Sequence, residues 1–257
     1  MKYCAIPPRA NVELSLKGDM LFCLGQQYAK DSEYRDFFLQ ARKDGWHIIL
    51  DNGVGDHGDT IDQQTLLDIA EELLPAEVIA LDVLFDSAAT IQNFQQFAVK
   101  WRARGLDKKG VELFFCPQGD TERDWMNAYR FALEHPAVST IGFSKLAIPH
   151  LYGGINGDQG IMEARHKMYD KLESLDMIEK PIHCLGAGDP REFLYYQNNP
   201  LMRSTDSCFS IWSAMNNISW KEDNFMRIPT PKNYFDLQVT EEQQKIAQSN
   251  IDFLKQL

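Results

Sequence analysis

The amino-acid sequence predicts an α/β fold, a (β/α)8 barrel in a single domain of residues 1–257. Short apolar runs recur along the chain, and each is followed by a small, polar or acidic residue and, in most cases, by an amphipathic helical pattern. Continuous apolar strands that alternate with helices are typical of a parallel sheet covered on both faces. Eight such runs in 257 residues favour a (β/α)8 barrel over an open doubly wound sheet.

The eight apolar runs are predicted as the strands. In chain order they are KYCAIPP (2–8), MLFCLGQ (20–26), HIILDNG (47–53), EVIALDV (77–83), ELFFCPQG (112–119), STIGFSKLA (139–147), PIHCLGAGD (181–189) and RSTDSCFSIW (203–212). The amphipathic segments between them are predicted as helices, at 31–44, 61–74, 88–104, 121–135, 159–178 and 190–198. The first connection, 9–19, is too short and too polar to predict a helix.

The C-terminal part of the chain is predicted as a long loop followed by a helix. Residues 213–239 are polar and aromatic and show no helical period. A last helix is predicted over 240–256, because Thr240 can cap it and the apolar Ile251 and Leu254 lie on one face.

The net charge of −11, from 37 acidic and 26 basic residues, predicts a surface that repels polyanions. A nucleic-acid substrate therefore requires a local basic patch. The densest basic cluster is KWRARGLDKKG (100–110), at the end of a predicted helix. We interpret this cluster as a solvated helix end rather than a nucleic-acid site.

Cysteine spacing and hydropathy narrow the class of protein. The five cysteines are far apart and form no CxxC pair, so we expect reduced thiols and neither structural zinc nor disulfides. The sequence has no apolar run of eighteen residues and no signal-peptide pattern, so we expect a cytoplasmic protein that does not bind membranes. No GxGxxG or GxxxxGK[ST] motif follows a strand, and no cofactor is expected.

Polar residues follow the predicted strands at the ends where barrel enzymes bind their ligands. In chain order they are Asp51 and Asn52, Asp82 and Asp86, Gln118 and Asp120, Gly142 to Lys145, the GAGDP turn (186–190) and Asp206. In a barrel these residues converge on one site. Three carboxylates with an amide between them are more than the solubility of the loops requires.

Such carboxylates suit chemistry at a glycosidic carbon. One can capture an oxocarbenium-like centre, and a second can move the proton of the leaving group. A further carboxylate and an amide can bind the donor edge of a guanine-like base. Metal binding is the alternative, with Asp51, Asp82 and Asp206 joined by His57 or His183 around a divalent ion. The absence of an HxH motif after the first strand favours a site without metal.

Six short segments at consecutive strand ends carry a family resemblance. They are ILDNGVG, IALDVLFD, LFFCPQGDT, TIGFSKLAIP, CLGAGDPREFL and STDSCFS. In the order and spacing of these six segments, which lie within about residues 20–215, the chain resembles the tRNA-guanine transglycosylase superfamily. It is most similar to the short phage and bacterial relatives that are proposed to place 7-deazaguanines in DNA.

The resemblance implies an enzyme, a pentosyltransferase, with a role for each matching residue. Asp206 matches the nucleophile that attacks C1′ and holds a covalent glycosyl intermediate, and Asp51 matches the acid/base. The substrate-binding residues that it implies are Asn52, Asp82, Gln118 and Gly142 at the base, with Gly186 and Gly188 near the sugar-phosphate. The implied partners are guanine or a 7-deazaguanine and a polynucleotide.

Two departures from the family bear on the substrate. The chain lacks a CxCxxC…H zinc-binding subdomain, and NGVGD (52–56) stands where the family has Gly-Gly-Phe-Gln. The missing subdomain and the acidic charge favour DNA over tRNA, whereas the NGVGD segment lacks or replaces one base-contacting side chain and bears on the choice of base. Two other functions stay open, a nucleoside- or nucleotide-level N-glycosyl transferase or hydrolase, and a non-catalytic subunit beside a partner. A homodimer also stays open.

Aromatic residues and a glycine-rich loop add smaller hypotheses. Trp212, Trp220 and Phe225 could stack on a base or cover the mouth of the barrel. His150 lies in the loop IPHLYGGINGD (148–158), whose glycines predict a mobile lid.

Overall fold

The computed structural model of the protein describes residues 1–54, 61–153, 157–220, 225–226 and 228–257, with the backbone alone for 157–159. Its strands are β1 (Lys2–Ala5), β2 (Leu21–Leu24), β3 (Ile48–Asp51), β4 (Glu77–Ile79), β5 (Glu112–Phe115), β6 (Val138–Phe143), β7 (Ile182–Cys184) and β8 (Met202–Ser207). They form one eight-stranded sheet in the order β1-β8-β7-β6-β5-β4-β3-β2. The pairs β1–β8, β3–β4, β4–β5 and β5–β6 are parallel. With helices between the strands, the predicted (β/α)8 barrel fold is confirmed.

The helices alternate with the strands along the chain. They are α1 (Gly25–Lys30), α2 (Ser32–Lys43), α3 (Gln63–Leu73), α4 (Ser87–Ala103), α5 (Glu122–Glu134), α6 (Ala147–Leu151), α7 (Gly157–Ser174), α8 (Pro190–Tyr196), α9 (Phe209–Met215) and α10 (Glu241–Lys255). The first connection, for which no helix is predicted, holds a 3-10 helix at Arg9–Lys17, and a second 3-10 helix spans Tyr234–Asp236.

Polar side chains at the predicted turns start several of these helices. The N-caps of α2, α3, α4, α5 and α10 each accept a hydrogen bond from an N–H group of the first helical turn, and they are Asp31, Asp62, Asp86, Thr121 and Thr240. Each such cap is worth about 1 kcal/mol. Asp86, which the sequence places among the acids of the site, therefore serves as a helix cap.

The structure divides into two compact units. The terminal unit comprises Met1–Phe22 and Cys184–Leu257, and the central unit comprises Cys23–His183. The core of the terminal unit joins β1, α8, α9 and α10, and its largest members are Tyr3, Phe193, Phe209, Ile211, Trp220, Ile251 and Leu254. A buried amide, Asn250, fixes α10 in this unit, because it accepts from the N–H of Trp220 and donates to the carbonyls of Ser210 and Ile218.

The strands of the central unit are buried along almost their whole length. All residues of β3 and β4 are buried, as are the last three residues of β5. A parallel sheet covered on both faces produces this pattern, and its burial follows from the continuous apolar runs in the sequence.

The run RSTDSCFSIW, predicted as one strand, forms β8 and the start of α9. The chain leaves the strand after Ser207, whose Oγ accepts the N–H of Phe209 over 3.0 Å. A short apolar run does not distinguish a buried strand from a buried helix, so the break was not visible in the sequence.

Within the described part of the chain, no helix has the length and apolar character that a membrane span requires.

Candidate functional site

The predicted site residues fall in both units, and each unit holds a cluster of them. Asp51, Asn52, Asp82, Gln118 and Gly142 belong to the central unit. Gly186, Gly188 and Asp206 belong to the terminal unit.

Asp51 ends β3 and is buried. Its Oδ2 accepts the N–H of Gly53 over 3.1 Å, and Gly53 has a φ of +82° that glycine adopts without strain. Gly25 lies against the same strand end, since a Cβ at Gly25 would come within 2.7 Å of the Asp51 carbonyl oxygen. Gly25 and Gly53 are thus both close to Asp51 at the end of the strand.

Asn52, Asp82 and Gln118 form one buried hydrogen-bonded group, which we call the Asp82 cluster. The Nδ2 of Asn52 donates to Oδ1 of Asp82 over 2.9 Å, and the Nε2 of Gln118 donates to Oδ2 over 2.5 Å. All three side chains are buried. The residues that follow β3, β4 and β5 therefore meet around a single carboxylate.

Backbone groups fix the orientation of both amides. The Oδ1 of Asn52 accepts the N–H of Val54 over 3.0 Å, and its Nδ2 also donates to the carbonyl of Ala80 over 2.8 Å. The Oε1 of Gln118 accepts the N–H of Phe85 over 3.2 Å. The sequence predicts that Asn52 and Gln118 bind the base, whereas in the structure their amide groups hold Asp82.

Burial raises the pKa of Asp82 to about 6, and the hydrogen bonds from Asn52 and Gln118 act in the opposite direction. Burial also raises the pKa of the Cys116 thiol, and the charges of Asp82 and Asp51 raise it further. Asp51 immediately precedes Asn52, which belongs to the Asp82 cluster. Because its pKa is about 6, Asp82 changes its charge close to neutral pH.

Two features of the central unit escaped the sequence analysis. The side chain of Gln26 lies over Gly53, where a Cβ would come within 2.6 Å of its Nε2. Gln26 ends the predicted run MLFCLGQ (20–26), so its position at a strand end was a usable signal. The second feature is Phe85, which has a φ of +64° and stacks on His150. No pattern in the sequence indicates the positive φ of Phe85 or its stacking on His150.

In the terminal unit, Asp206 lies in β8 and is buried. Its Oδ1 accepts the N–H of Gly186 over 3.0 Å, and Gly186 has a φ of +69°. Asp206 does not cap the following helix, because Cys208 is the N-cap of α9. The structure thus brings together Asp206 and the first glycine of the GAGDP turn.

The GAGDP turn is packed directly on β8. A Cβ at Gly188 would lie 2.5 Å from Oγ and 2.6 Å from Cβ of Ser207, so only glycine fits there. Thr205 donates from Oγ1 to the carbonyl of Cys184 over 2.6 Å and also contacts the carbonyl of Ala187. These contacts connect the turn to the strand that carries Asp206.

Two other polar contacts complete this region. Asp189 caps α8 and pairs with Arg191, with 2.6 Å between Oδ2 and Nη2. The hydroxyl of Tyr3 donates to the carbonyl of Ser207 over 2.7 Å and thereby holds the end of β8. The predicted sugar-phosphate role of the turn stays a prediction, since the N–H of Gly186 is bonded to Asp206.

Three other residues that are candidates for substrate contact, Gly142, Trp212 and Trp220, are held by contacts within the protein. Gly142 is buried inside β6. Trp220 is fully buried against Phe209, and Trp212 donates from its indole to the carbonyl of Ile228. Core packing therefore accounts for Trp220.

The alternative metal site is only partly covered by the structure. His57 lies outside the described residues, and His183 is buried with its ring against Phe114. No three His, Cys, Asp or Glu side chains among residues 1–54, 61–153, 157–220, 225–226 and 228–257 are placed to hold a metal ion together.

The basic cluster at 100–110 is paired with acidic and polar groups of α3. Arg104 contacts Asp68 over 2.7 Å and Glu71 over 3.3 Å, and Lys109 contacts Glu71 over 3.2 Å. These are the contacts of a solvated helix end, as interpreted from the sequence.

No protein-family model matches the chain, and no curated protein is significantly similar to it in sequence.

Proposed function

We propose that the protein is a base-exchange glycosyltransferase that replaces guanine in a polynucleotide, DNA rather than tRNA, with a 7-deazaguanine. The proposal includes a distant relationship to the tRNA-guanine transglycosylase superfamily. The Asp82 cluster is the observation that supports it most. A buried carboxylate is held by two amides beside a second acid, Asp51, and its pKa is raised to about 6.

The cluster suits a guanine-like base for a chemical reason. Such a base presents two adjacent N–H donors on one edge, and an ionised carboxylate accepts up to about four hydrogen bonds. Each oxygen of Asp82 accepts one side-chain hydrogen bond within the described structure, from Asn52 or Gln118. Both oxygens keep the capacity to accept from a ligand.

Asp206 is the proposed nucleophile. Its carboxylate attacks C1′ of the target nucleotide, the bond from C1′ to N9 breaks, and its electron pair leaves with guanine, which takes a proton from the carboxyl group of Asp51. The sugar is then held as an ester of Asp206. The hydrogen bond from Gly186 to Oδ1 supports this role, because it fixes the orientation of a buried carboxylate.

The second half-reaction reverses the roles. The carboxylate of Asp51 takes the N9 proton of the incoming 7-deazaguanine, N9 attacks C1′, and the ester bond breaks to restore the carboxylate of Asp206. Each step transfers one proton and forms one bond for each bond that breaks. No redox partner is needed.

A nucleotide-level transferase or hydrolase is the second candidate, with the same ester intermediate. The observation that favours it is that two of the five basic residues of the densest basic cluster, Arg104 and Lys109, are paired with Asp68 and Glu71. A protein of net charge −11 gains little attraction for a polyanion without that cluster.

Labelled-guanine incorporation tests the proposal. The protein is incubated with labelled guanine and, separately, with single-stranded DNA, duplex DNA, tRNA and dGMP. We expect incorporation into DNA, with single strands ahead of duplex because flipping a base out of a duplex costs a few kcal/mol. Incorporation into dGMP alone supports the second candidate.

The variant Asp206→Asn identifies the nucleophile. We expect it to lose exchange by at least about a thousandfold while its melting temperature stays close to that of the parent, since attack on C1′ needs the carboxylate. Asp62→Asn, in the N-cap of α3, is the matched control and should retain exchange. Full exchange by Asp206→Asn refutes the assignment.

A further inference from the structure

Phe85 has an unusual backbone conformation for an aromatic residue. Of the non-glycine residues described with positive φ, Leu74, Asp176 and Asn217 follow the ends of α3, α7 and α9, where a left-handed residue commonly terminates a helix. Phe85 instead lies between β4 and α4, with a φ of +64°. A strained residue outside a helix end calls for a local cause and points to function.

Hydrogen bonds on both sides hold the Phe85 backbone in place. Its N–H donates to Oε1 of Gln118, the residue whose Nε2 binds Asp82. The hydroxyl of Thr90 accepts the N–H of Val83 over 2.9 Å, which anchors the preceding part of the loop. The loop is therefore tied to the Asp82 cluster through the backbone N–H of Phe85.

The ring of Phe85 stacks on the ring of His150. Their centroids are 4.2 Å apart, and the ring planes differ by 28°. The Nε2 of His150 also contacts Oδ1 of Asp120 over 2.8 Å, which fixes the orientation of the imidazole. Phe85 follows β4, and His150 lies in α6, the helix after β6. We call this pair of stacked rings the Phe85–His150 platform.

The platform is more exposed than the Asp82 cluster to which it is connected. Asp82 and Gln118 are 7% and 1% exposed, whereas the side chain of His150 is 37% exposed and Phe85 is half-buried. A base bound at Asp82 is enclosed, and a base on the platform lies nearer the solvent. The two places therefore suit two different bases of one ligand.

We propose that the Phe85–His150 platform stacks the nucleobase next to the exchanged one, so that the substrate is a single-stranded polynucleotide of at least two nucleotides. This inference rests on the proposed function and names its substrate class. Stacking on Phe and His rings is the usual way in which proteins bind unpaired bases, and it tolerates any base sequence. Asp120 orients His150 and is an unsuitable neighbour for a phosphate, so the platform contributes stacking rather than charge.

A fluorescent oligonucleotide tests the platform. The probe is a single-stranded DNA tetranucleotide with one guanine and 2-aminopurine beside it, because stacking quenches 2-aminopurine fluorescence. Binding and quenching are measured for the parent protein, Phe85→Leu and His150→Leu. Phe37→Leu on α2 is the matched control, since Phe37 is also half-buried and packs on a second aromatic ring, Phe38.

We expect Phe85→Leu and His150→Leu to weaken binding of the tetranucleotide on the order of tenfold and to lose the quenching. His150→Phe keeps an aromatic ring and should retain both. Binding of dGMP, which has no second base, should stay within about twofold in every variant. If Phe85→Leu fails to fold, the comparison of His150→Leu with His150→Phe carries the test.

The outcomes separate this inference from the proposed function. Unchanged quenching in both leucine variants, or no binding of the tetranucleotide to the parent protein, overturns the platform. Guanine incorporation is measured on the same samples. If the tetranucleotide binds and its quenching depends on the two rings, but no guanine is incorporated, the platform stands and the exchange activity is refuted.

Discussion

Gln118 donates from Nε2 to Oδ2 of Asp82, so two residues that the sequence assigns to the same base are bonded to each other. Asn52 holds the other oxygen of the same carboxylate. One consequence is that, in the proposed reaction, the two amides would act on the substrate through Asp82. Another is that the charge of Asp82 affects folding and, in the proposed reaction, also binding.

Replacing Gln118 by methionine should destabilise the protein in a pH-dependent way. Gln118→Met removes a donor to buried Asp82 and the acceptor for the N–H of Phe85, and unmatched buried groups cost about 1–3 kcal/mol each. We expect a loss of about 2–4 kcal/mol in urea unfolding at pH 8. The loss should be smaller at pH 4.5, where Asp82 is protonated.

Gln40→Met is the control for that experiment. Gln40 also donates to an aspartate, Asp44, over 2.8 Å, but this pair is exposed. Its loss should change the free energy of unfolding by no more than about 0.5 kcal/mol. Equal effects of the two variants would contradict the buried hydrogen-bonded cluster.

The raised pKa of Asp82 predicts the sign of a stability change with pH. The pKa is about 6 in the folded protein and 3.8 for an unperturbed carboxyl group, so the folded state binds the proton more tightly between these values. The stabilisation from Asp82 is complete below about pH 3.8 and is lost as the pH rises through 6, by on the order of 3 kcal/mol.

Asp82→Asn checks this prediction. The side chain of the variant cannot ionise. The change in its free energy of unfolding between pH 4 and pH 8 should therefore differ from that of the parent by on the order of 3 kcal/mol. A pH-independent penalty from the new amide group cancels in this difference. Identical pH profiles for the two proteins would be incompatible with the raised pKa.

A side chain at Gly188 should disturb the strand that carries Asp206. In Gly188→Ala the new Cβ would lie 2.5 Å from Oγ and 2.6 Å from Cβ of Ser207. We expect a destabilisation of about 1–3 kcal/mol by overpacking, together with a lower rate of guanine exchange. Thermal unfolding and the incorporation assay measure the two effects.

A double variant shows whether the steric contact is the cause. Ser207→Gly removes both atoms that meet the new Cβ, so Gly188→Ala with Ser207→Gly should be more stable than the sum of the single effects predicts. Strictly additive effects would show that another contact is responsible.

Asn250 should be essential for the stability of the terminal unit. Asn250→Ala leaves the N–H of Trp220 and the carbonyls of Ser210 and Ile218 without their side-chain partner. The expected loss is about 2–5 kcal/mol in urea unfolding, because all of these groups are buried.

Gln248→Ala is the control on the same helix. Gln248 bonds Asp252 over 2.8 Å at an exposed position, and its replacement should cost no more than about 0.5 kcal/mol. A loss as large as that of Asn250→Ala would contradict the role of the buried amide, since alanine is the best helix former and neither replacement weakens the helix through its propensity.

The sequence by itself determined the fold class and the approximate positions of most elements. The runs around Ile49, Val78 and Phe114 are continuous because both faces of a parallel sheet are covered, and this local pattern is visible without a structure. The helix start at Thr240 was visible for the same reason, since a cap acts on residues two or three positions away.

Contacts between residues distant in sequence were decided only by the tertiary structure. Asn52 and Gln118 are 66 positions apart, and Gly186 is 20 positions from Asp206. That the amides hold Asp82, that burial raises its pKa, and that Phe85 stacks on His150 with a left-handed backbone all depend on how the loops after different strands pack. A sequence pattern records the period and chemistry of one segment, whereas burial and hydrogen-bond partners come from several segments together.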